Sequence, residues 1–375
     1  MRSRFLIRVI ALGHKEVLHI VRDIRVLYLA LGLPVVMLVL FGFAVSFDLD
    51  RLPIALVDQD RTPASRHLAD AMEASKAFVI TERPLDPNAV EQLFRRGRVK
   101  AAVVVPPGFA RKLARGERAE AQLLLDGADG TVAMIALGYA AGISQSETLR
   151  LLEASLAEQG AFVKDRIRVR FNPDMKSVRF IIPGLIAVIL AILAVLLTAL
   201  TVAREWEHGS MEQLFATPVG RLEIVLGKLL PYVAIGLMQV LLVLATGAIV
   251  FGVRVVGSLV LLFVTALLFL AGMLGQGLLI SVVTKNQQLA TQFGMLTAML
   301  PTLLLSGFLT PVENMPPVLR AIAALVPARY FIRMLRGIML KGTGATELLP
   351  DMGALGLFAV VMVILSTVRF QRGLD

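Results

Sequence analysis

The polar groups with the clearest capacity for chemistry in the apolar C-terminal half are Glu205, Glu207, Glu212, Glu223 and Lys228. They lie within residues 204–228, REWEHGSMEQLFATPVGRLEIVLGK. The chemistry they offer is recognition through charge and hydrogen bonding. Ser210 followed by Gln213 is a capping-box spacing, so a short helix is expected to start there. Pro218 is suited to close it, because its ring removes a donor and clashes with the preceding turn. A second helix then rises through Glu223, Gly227 and Lys228. Glu205 and Glu207 are placed to position this loop by charge contacts, Ser210 to cap it and Lys228 to anchor the return. A capped polar helix held between two apolar rods is a surface on which another protein can push. The alternative is an interfacial loop anchored by Trp206, with its charges merely solvated.

Catalytic chemistry is not indicated. The Gly227-Lys228 pair is not a phosphate-binding loop, because Leu222 stands where the first glycine belongs and Leu229 follows the lysine. The four histidines, His14, His19, His67 and His208, lack paired-ligand spacing, and there is no G-x-S-x-G. The absence of cysteine removes disulfides, thiolate metal sites and cysteine nucleophiles together. The expectation is a chain with no catalytic residue, no metal and no cofactor of its own.

The elements that must position the polar stretch are apolar. Hydrophobic residues make up 57% of the 375 residues and the mean hydropathy is +0.76, which excludes an ordinary soluble domain. Six stretches are long enough to cross a bilayer: 26–47, 178–203, 229–253, 255–284, 286–307 and 351–368. The fourth is overlong and has to tilt, break or dip. Pro34 is expected to kink the first. No Asp or Glu is expected in the interior of any span, which disfavours ion-driven transport. The few polar residues within them, among them Gln239, Gln276, Gln292 and Thr297, either bond between helices or line a pathway with Met295 and Met299. Ala271, Gly272, Gly275 and Gly277 allow close helix approach, either within the chain or between two copies.

Net charge is +10, but residues 48–177 hold 19 basic against 18 acidic side chains. The surplus therefore flanks the spans, where it orients a membrane protein and meets anionic lipid; no nucleic-acid partner is implied. Residues 1–25 carry six bases and an apolar stripe (Leu6, Ile10, Gly13, Val17, Ile20 or Val21, Ile24), giving a cytoplasmic amphipathic helix in the interface. The first span is too long for the core of a cleaved signal and is read as retained. That topology puts 48–177 outside, 204–228 inside, 308–350 outside and the tail 369–375 inside. Within 48–177, strands are expected at 54–57, 78–81, 100–105 and 122–126, with helices at 63–74, 87–96, 107–115 and 131–159. This alternation indicates a small α/β sheet domain. Asp58, Asp60, Asp126 and Asp129 fall in turns after strands, where acids usually form the turn rather than hold a cation.

The pattern E-x-E-x-G-S-x-E-x-L-x-x-x-P followed by E-x-x-x-G-K resembles the signature of ABC-2 type transporter permeases. Glu205, Glu207, Gly209, Ser210, Glu212, Leu214, Pro218, Glu223, Gly227 and Lys228 match it. IALVDQD, VVVPPGFARKLARG, LLLDGADG and FNPDMKSVRFIIPGL resemble the exporters of this family with a large outer domain, and PVENMPP with the later RG resembles their final outer segment. The resemblance implies an α-helical polytopic membrane protein of six transmembrane helices, with an α/β extracytoplasmic domain inserted between helices 1 and 2. It implies docking of the loop on a cytosolic ATPase subunit that holds ATP and Mg, and a homodimer or a heterodimer with a similar permease. It also implies short re-entrant helices in 308–350, export of drug-like amphiphiles from the bacterial inner membrane, and in some cases a periplasmic adaptor. The alternatives are a membrane-anchored receptor or assembly platform that transports nothing, and export of polysaccharide, lipid or sodium.

Overall fold

An uncharged run as long as 180–203 has no stable place except in lipid or among other apolar helices. In the computed structural model it takes the second option. The structure describes residues 2–44, 51–128, 130–156, 177–211 and 217–370, and the chain divides into two units, 1–47 with 169–375 and 48–168.

The first unit begins with α1 (Arg2–Arg22), α2 (Ile24–Leu27), a π turn (Tyr28–Gly32) and α3 (Leu33–Ala44). Next come α8 (Ser177–Glu207), α9 (Arg221–Phe251), α10 (Leu259–Thr284) and α11 (Gln287–Leu305). It ends with α12 (Pro317–Ala323), α13 (Pro327–Arg336), a π turn (Gly337–Lys341) and α14 (Ala345–Arg369). Five of the described helices, α8, α9, α10, α11 and α14, are long and apolar enough to cross a bilayer, whereas Tyr28–Ala44 is shorter. α8 is buried along nearly its whole length, with α3, α9, α10, α11 and α13 around it. The surrounding helices keep apolar residues such as Leu241, Leu300 and Val360 outward, as a hydrocarbon environment requires.

Small residues set the tightest crossings, and they do so inside the chain. A Cβ on Gly277 of α10 would lie 2.2 Å from Thr198 Oγ1 and 2.4 Å from the Val195 carbonyl of α8. Gly272 and Gly275 receive Phe358 and Met362 of α14. The close backbones then bond across: Thr198 Oγ1 donates to the Leu274 carbonyl at 3.0 Å and Ser366 Oγ to that of Gly275 at 3.1 Å.

Three expected boundaries change, each for a local reason. The first apolar helix is interrupted by the π turn ahead of Pro34, so the break is a change of hydrogen-bond register; residues 45–47 lie outside the described set. Pro34 has no N–H for the carbonyl of Ala30, and Gln239 Nε2 of α9 donates to that carbonyl at 2.7 Å. The overlong fourth stretch is a 26-residue helix, because α10 starts at the N-cap Ser258. Ahead of it, the amides of Val256 and Gly257 donate to the Met339 and Ile338 carbonyls. The last helix begins at Ala345, six residues before the expected 351, which adds Glu347 and places Asp351 inside the helix rather than at its start. Asp351 is buried there and lies 3.3 Å from Arg333 Nη1.

The second unit is a four-stranded sheet in the order β2-β1-β3-β4, with β1 (Leu52–Asp58) parallel to β2 (Phe78–Glu82) and β3 (Ala101–Val105), and β4 (Gln122–Leu125) antiparallel to β3. Alternation sorts the faces. Leu52, Ile54, Leu56, Ala101 and Val103 face α4 (Pro63–Ala74), α6 (Phe109–Ala114) and α7 (Gly130–Leu156), while Ala55, Val57 and Val104 face α5 (Ala89–Arg95). The turn acids are staples. Asp58 accepts from Ser65 Oγ at 2.7 Å, and Asp60 accepts from Thr62 Oγ1 at 2.7 Å and from the amides of Gly108 and Ala110 at 2.7 and 2.9 Å. Asp126 lies 3.5 Å from Lys100, and Asp129 is outside the described residues. The Thr62 hydroxyl, followed by the Ala110 amide, holds the Asp60 carboxyl below its usual range.

Two outcomes follow from this packing. Gly277→Ala should lower stability by about 1–3 kcal/mol through overpacking against backbone, read as a drop in thermal midpoint in detergent. Asp60 has a folded pKa below its unfolded value, so its stabilisation is present above 3.8 and is lost as pH falls through the folded value. Asp60→Asn should therefore melt earlier at neutral pH, and the gap to wild type should close in acid. A gap constant from neutral to acid pH would contradict the staple.

Candidate coupling site

The site is built at the C-terminal end of α8. Consecutive helical residues point about 100° apart, so the four side chains 204–207 fan around the whole circumference, and each meets a different neighbour. Arg204 Nη1 lies 3.1 Å from Asp23 Oδ2 between α1 and α2. Glu205 accepts from Lys228 of α9. Trp206 has the Lys285 ammonium 5.1 Å from its ring centroid and the Phe370 ring at 6.1 Å. Glu207 accepts from the backbone amide of Gln287 at 2.8 Å, a carboxylate at the N-terminus of α11 where the helix dipole favours it. Gly209 then ends α8 at φ 69°, a left-handed conformation that disfavours any side chain.

The second half of the motif opens α9, and each residue has a local reason. Glu223 accepts from the amide of Gly220 at 2.6 Å, closing the helix start, and Arg8 of α1 lies 3.4 Å away. Gly227 admits α1: a Cβ there would be 2.6 Å from Leu12 Cβ. That approach delivers Glu16, whose Oε2 is 3.5 Å from Lys228 Nζ, while the Tyr232 hydroxyl donates to Glu16 at 2.8 Å. Lys228, Glu16 and Glu205 have side chains 7%, 5% and 15% exposed. One buried ammonium thus sits between two carboxylates and joins α1, α8 and α9.

A sequence model of the family described as ABC-2 family transporter protein matches residues 24–368. The chain is an ABC-2 family transporter protein. It is 34% identical over 371 residues to the probable multidrug ABC transporter permease YbhS of Escherichia coli, covering 98% of each chain. It is 32% identical over 310 residues to the probable multidrug ABC transporter permease YbhR of Escherichia coli, covering 82% of this chain and 83% of that one. It is 26% identical over 353 residues to the inner membrane transport permease YhhJ of Escherichia coli, covering 89% and 91%.

In this ABC-2 chain the remaining motif residues divide in two. Glu212, Gln213 and Leu214 lie outside the described residues, and with them the expected short helix. Ser210 donates its hydroxyl backwards to the Glu205 carbonyl at 3.1 Å, satisfying the end of α8. Pro218 is exposed just before α9. The pathway candidates are not brought together. Gln239 is buried at the Ala30 carbonyl, and Gln276 is half-buried on α10. Gln292, Met295 and Thr297 are exposed on α11, with Met299 half-buried one turn beyond Met295.

Glu16, Asp23, Tyr232 and Gln287 were not anticipated. Glu16 had a signal: it stands three residues after Gly13 and four before Ile20, both in the apolar stripe of α1, and Val9, Glu16 and Ile20 are all buried.

Removing the lysine leaves two buried carboxylates face to face, a loss of about 3–5 kcal/mol. Lys228→Met should therefore melt well below wild type, and Glu16→Gln added to it should recover part of the loss. Additive losses in the double variant would contradict a shared buried network.

Proposed function

We propose that this chain is the membrane subunit of an ATP-binding cassette exporter, driven by a separate cytosolic ATPase that holds the ATP and Mg. The observation that carries the reading is the fan of bonds at 204–207. It makes the end of the buried central helix a hub, so a push on the loop 208–220 reaches α1, α9, α10, α11 and α14 at once. A receptor or platform has no use for such a hub. In this reading six helices span the bacterial inner membrane, the sixth being Tyr28–Ala44, and both termini are cytoplasmic. The sheet unit is then extracytoplasmic, and the short helices of 308–350 sit in the outer interface.

Two permeases, identical or similar, each engage one ATPase, with a periplasmic adaptor as a further partner. The cargo is an amphiphilic or hydrophobic compound such as a drug. The printed names of YbhS and YbhR support that class, and the outward Gln292 and Met295 of α11, with Met299 half-buried beyond them, offer it an apolar surface with a few polar points.

The test is association and coupling. The full-length chain should co-purify with an ATP-binding cassette protein and stimulate its ATP hydrolysis in liposomes. Glu212→Lys should weaken that association about tenfold, or ~1.4 kcal/mol, while leaving the thermal midpoint unchanged. Undiminished stimulation and undiminished drug resistance in this variant would sink the docking role.

A further inference from the structure

Helix α13 carries three arginines, and two of them one turn apart, Arg333 and Arg336, are paired differently. Arg333 has Asp351. Arg336 turns toward the opposite end of α8 from the coupling site. Its Nη1 donates to the Gly307 carbonyl at 3.0 Å, and its guanidinium lies 3.7 Å over the ring of Phe180. Its Nε and Nη2 are shut off from solvent and, among the described residues, neither has a hydrogen-bond partner.

Those two nitrogens share one edge of the guanidinium. Their parallel N–H groups match the two oxygens of a carboxylate, sulfate or phosphate. A buried cation with unmade bonds is costly, more so than an unpaired neutral group. Gly184 of α8 makes room for the ring of Phe308, and a Cβ there would also be 3.5 Å from Nη2. The Phe180 ring over this charge is 47% exposed, and Leu309, two residues beyond the Gly307 carbonyl, is 52% exposed. A cation set just beneath an apolar surface suits a molecule with an acidic end and a long apolar body.

We propose that the Nε/Nη2 edge of Arg336 binds the oxyanion of an anionic amphiphile, reached past the Phe180 ring, with the apolar body lying along Phe180 and Leu309. The oxyanion belongs either to exported cargo or to a bilayer phospholipid. Only the cargo source rests on the exporter reading.

Binding is measured without nucleotide or ATPase, so its failure is separable from failure of the exporter reading. The full-length protein in phosphatidylcholine nanodiscs is titrated with oleate and with oleyl alcohol, which shares the chain and lacks the acid. Arg336→Gln should weaken oleate binding about tenfold or more and change oleyl alcohol binding less than about twofold. Arg336→Lys, which keeps the charge without the paired edge, should fall between them.

Adding phosphatidylglycerol to the nanodiscs separates the sources. A phospholipid ligand raises the thermal midpoint of the wild type but not of Arg336→Gln, and competes with oleate; a cargo ligand leaves the midpoint unmoved and oleate binding dependent on Arg336. Equal oleate affinity in wild type and Arg336→Gln, with no difference in their response to phosphatidylglycerol, would overturn the proposal. So would ligand-free Arg336→Gln and Arg336→Lys proteins that both melt far below wild type, since that would make the guanidinium a packing element.

Discussion

The burial of α8 is the constraint from which the rest of the membrane unit follows. A helix surrounded on all sides gains apolar burial along its length but leaves few lateral polar contacts, the Thr198 hydroxyl to the Leu274 carbonyl being one where the backbones are close. Its neighbours can be held to it specifically only by close backbone approach or at its ends. Both devices are present. Gly277 and Gly294 meet α8 at Val195 and carry no side chain there. At its C-terminal end, four consecutive polar or aromatic residues each bind a different partner. The 100° step of the helix is what lets so short a stretch reach so many elements.

The ammonium of Lys228 shows how dearly that specificity is held. Two carboxylates and one lysine shut from water carry a net negative charge, and a hydrophobic trio of the same volume is often as stable or more so. What the ions add is definition: the bond from Lys228 to Glu16 exists only if α1 lies against Gly227, and the bond to Glu205 only if α8 ends where it does. The Tyr232 hydroxyl occupies one more lone pair of Glu16, which removes one cost of burying it. Pro34 and Gln239 follow the same logic higher in the unit, where a carbonyl deprived of its amide is answered from a neighbouring helix.

Legibility in the sequence tracked how local the determinant was. The helix Pro63–Ala74 begins and ends where Thr62-Pro63 and the apolar period place it, and β3 follows from an uninterrupted AAVVV. The end of α10 at Thr284 and the start of α11 after Asn286 are set by turn and cap chemistry within a few residues. The start of α10 has a local cap in Ser258, hidden by the apolar residues on either side, whereas the pairing of the Val256 and Gly257 amides with carbonyls of Met339 and Ile338 some eighty residues on was not legible. The same holds for the motif. Its residues could be picked out by spacing, but their partners Glu16, Asp23 and Gln287 belong to other helices. The apolar stripe of α1 was only partly a guide: its Leu6, Ile10 and Val17 are turned outward, while its Ile20 is buried with Val9 and Glu16 on the side against α9. Three-residue and four-residue spacings on one helix generate two stripes, and only the partner decides which is buried.

The two ends of α8 are therefore opposites in electrostatic terms. At the C-terminal end Arg204, Glu205 and Glu207 each meet a bonding partner, and a satisfied polar network is stiff because any displacement breaks several bonds together. At the N-terminal end the guanidinium of Arg336 rests on Phe180 and a single carbonyl, with one edge unanswered among the described residues. The apolar packing of that end is intact, with Ile181, Ile182 and Leu185 buried. Under the coupling role proposed above, force enters at the bonded C-terminal end and reaches an N-terminal end held by apolar packing rather than by a polar network.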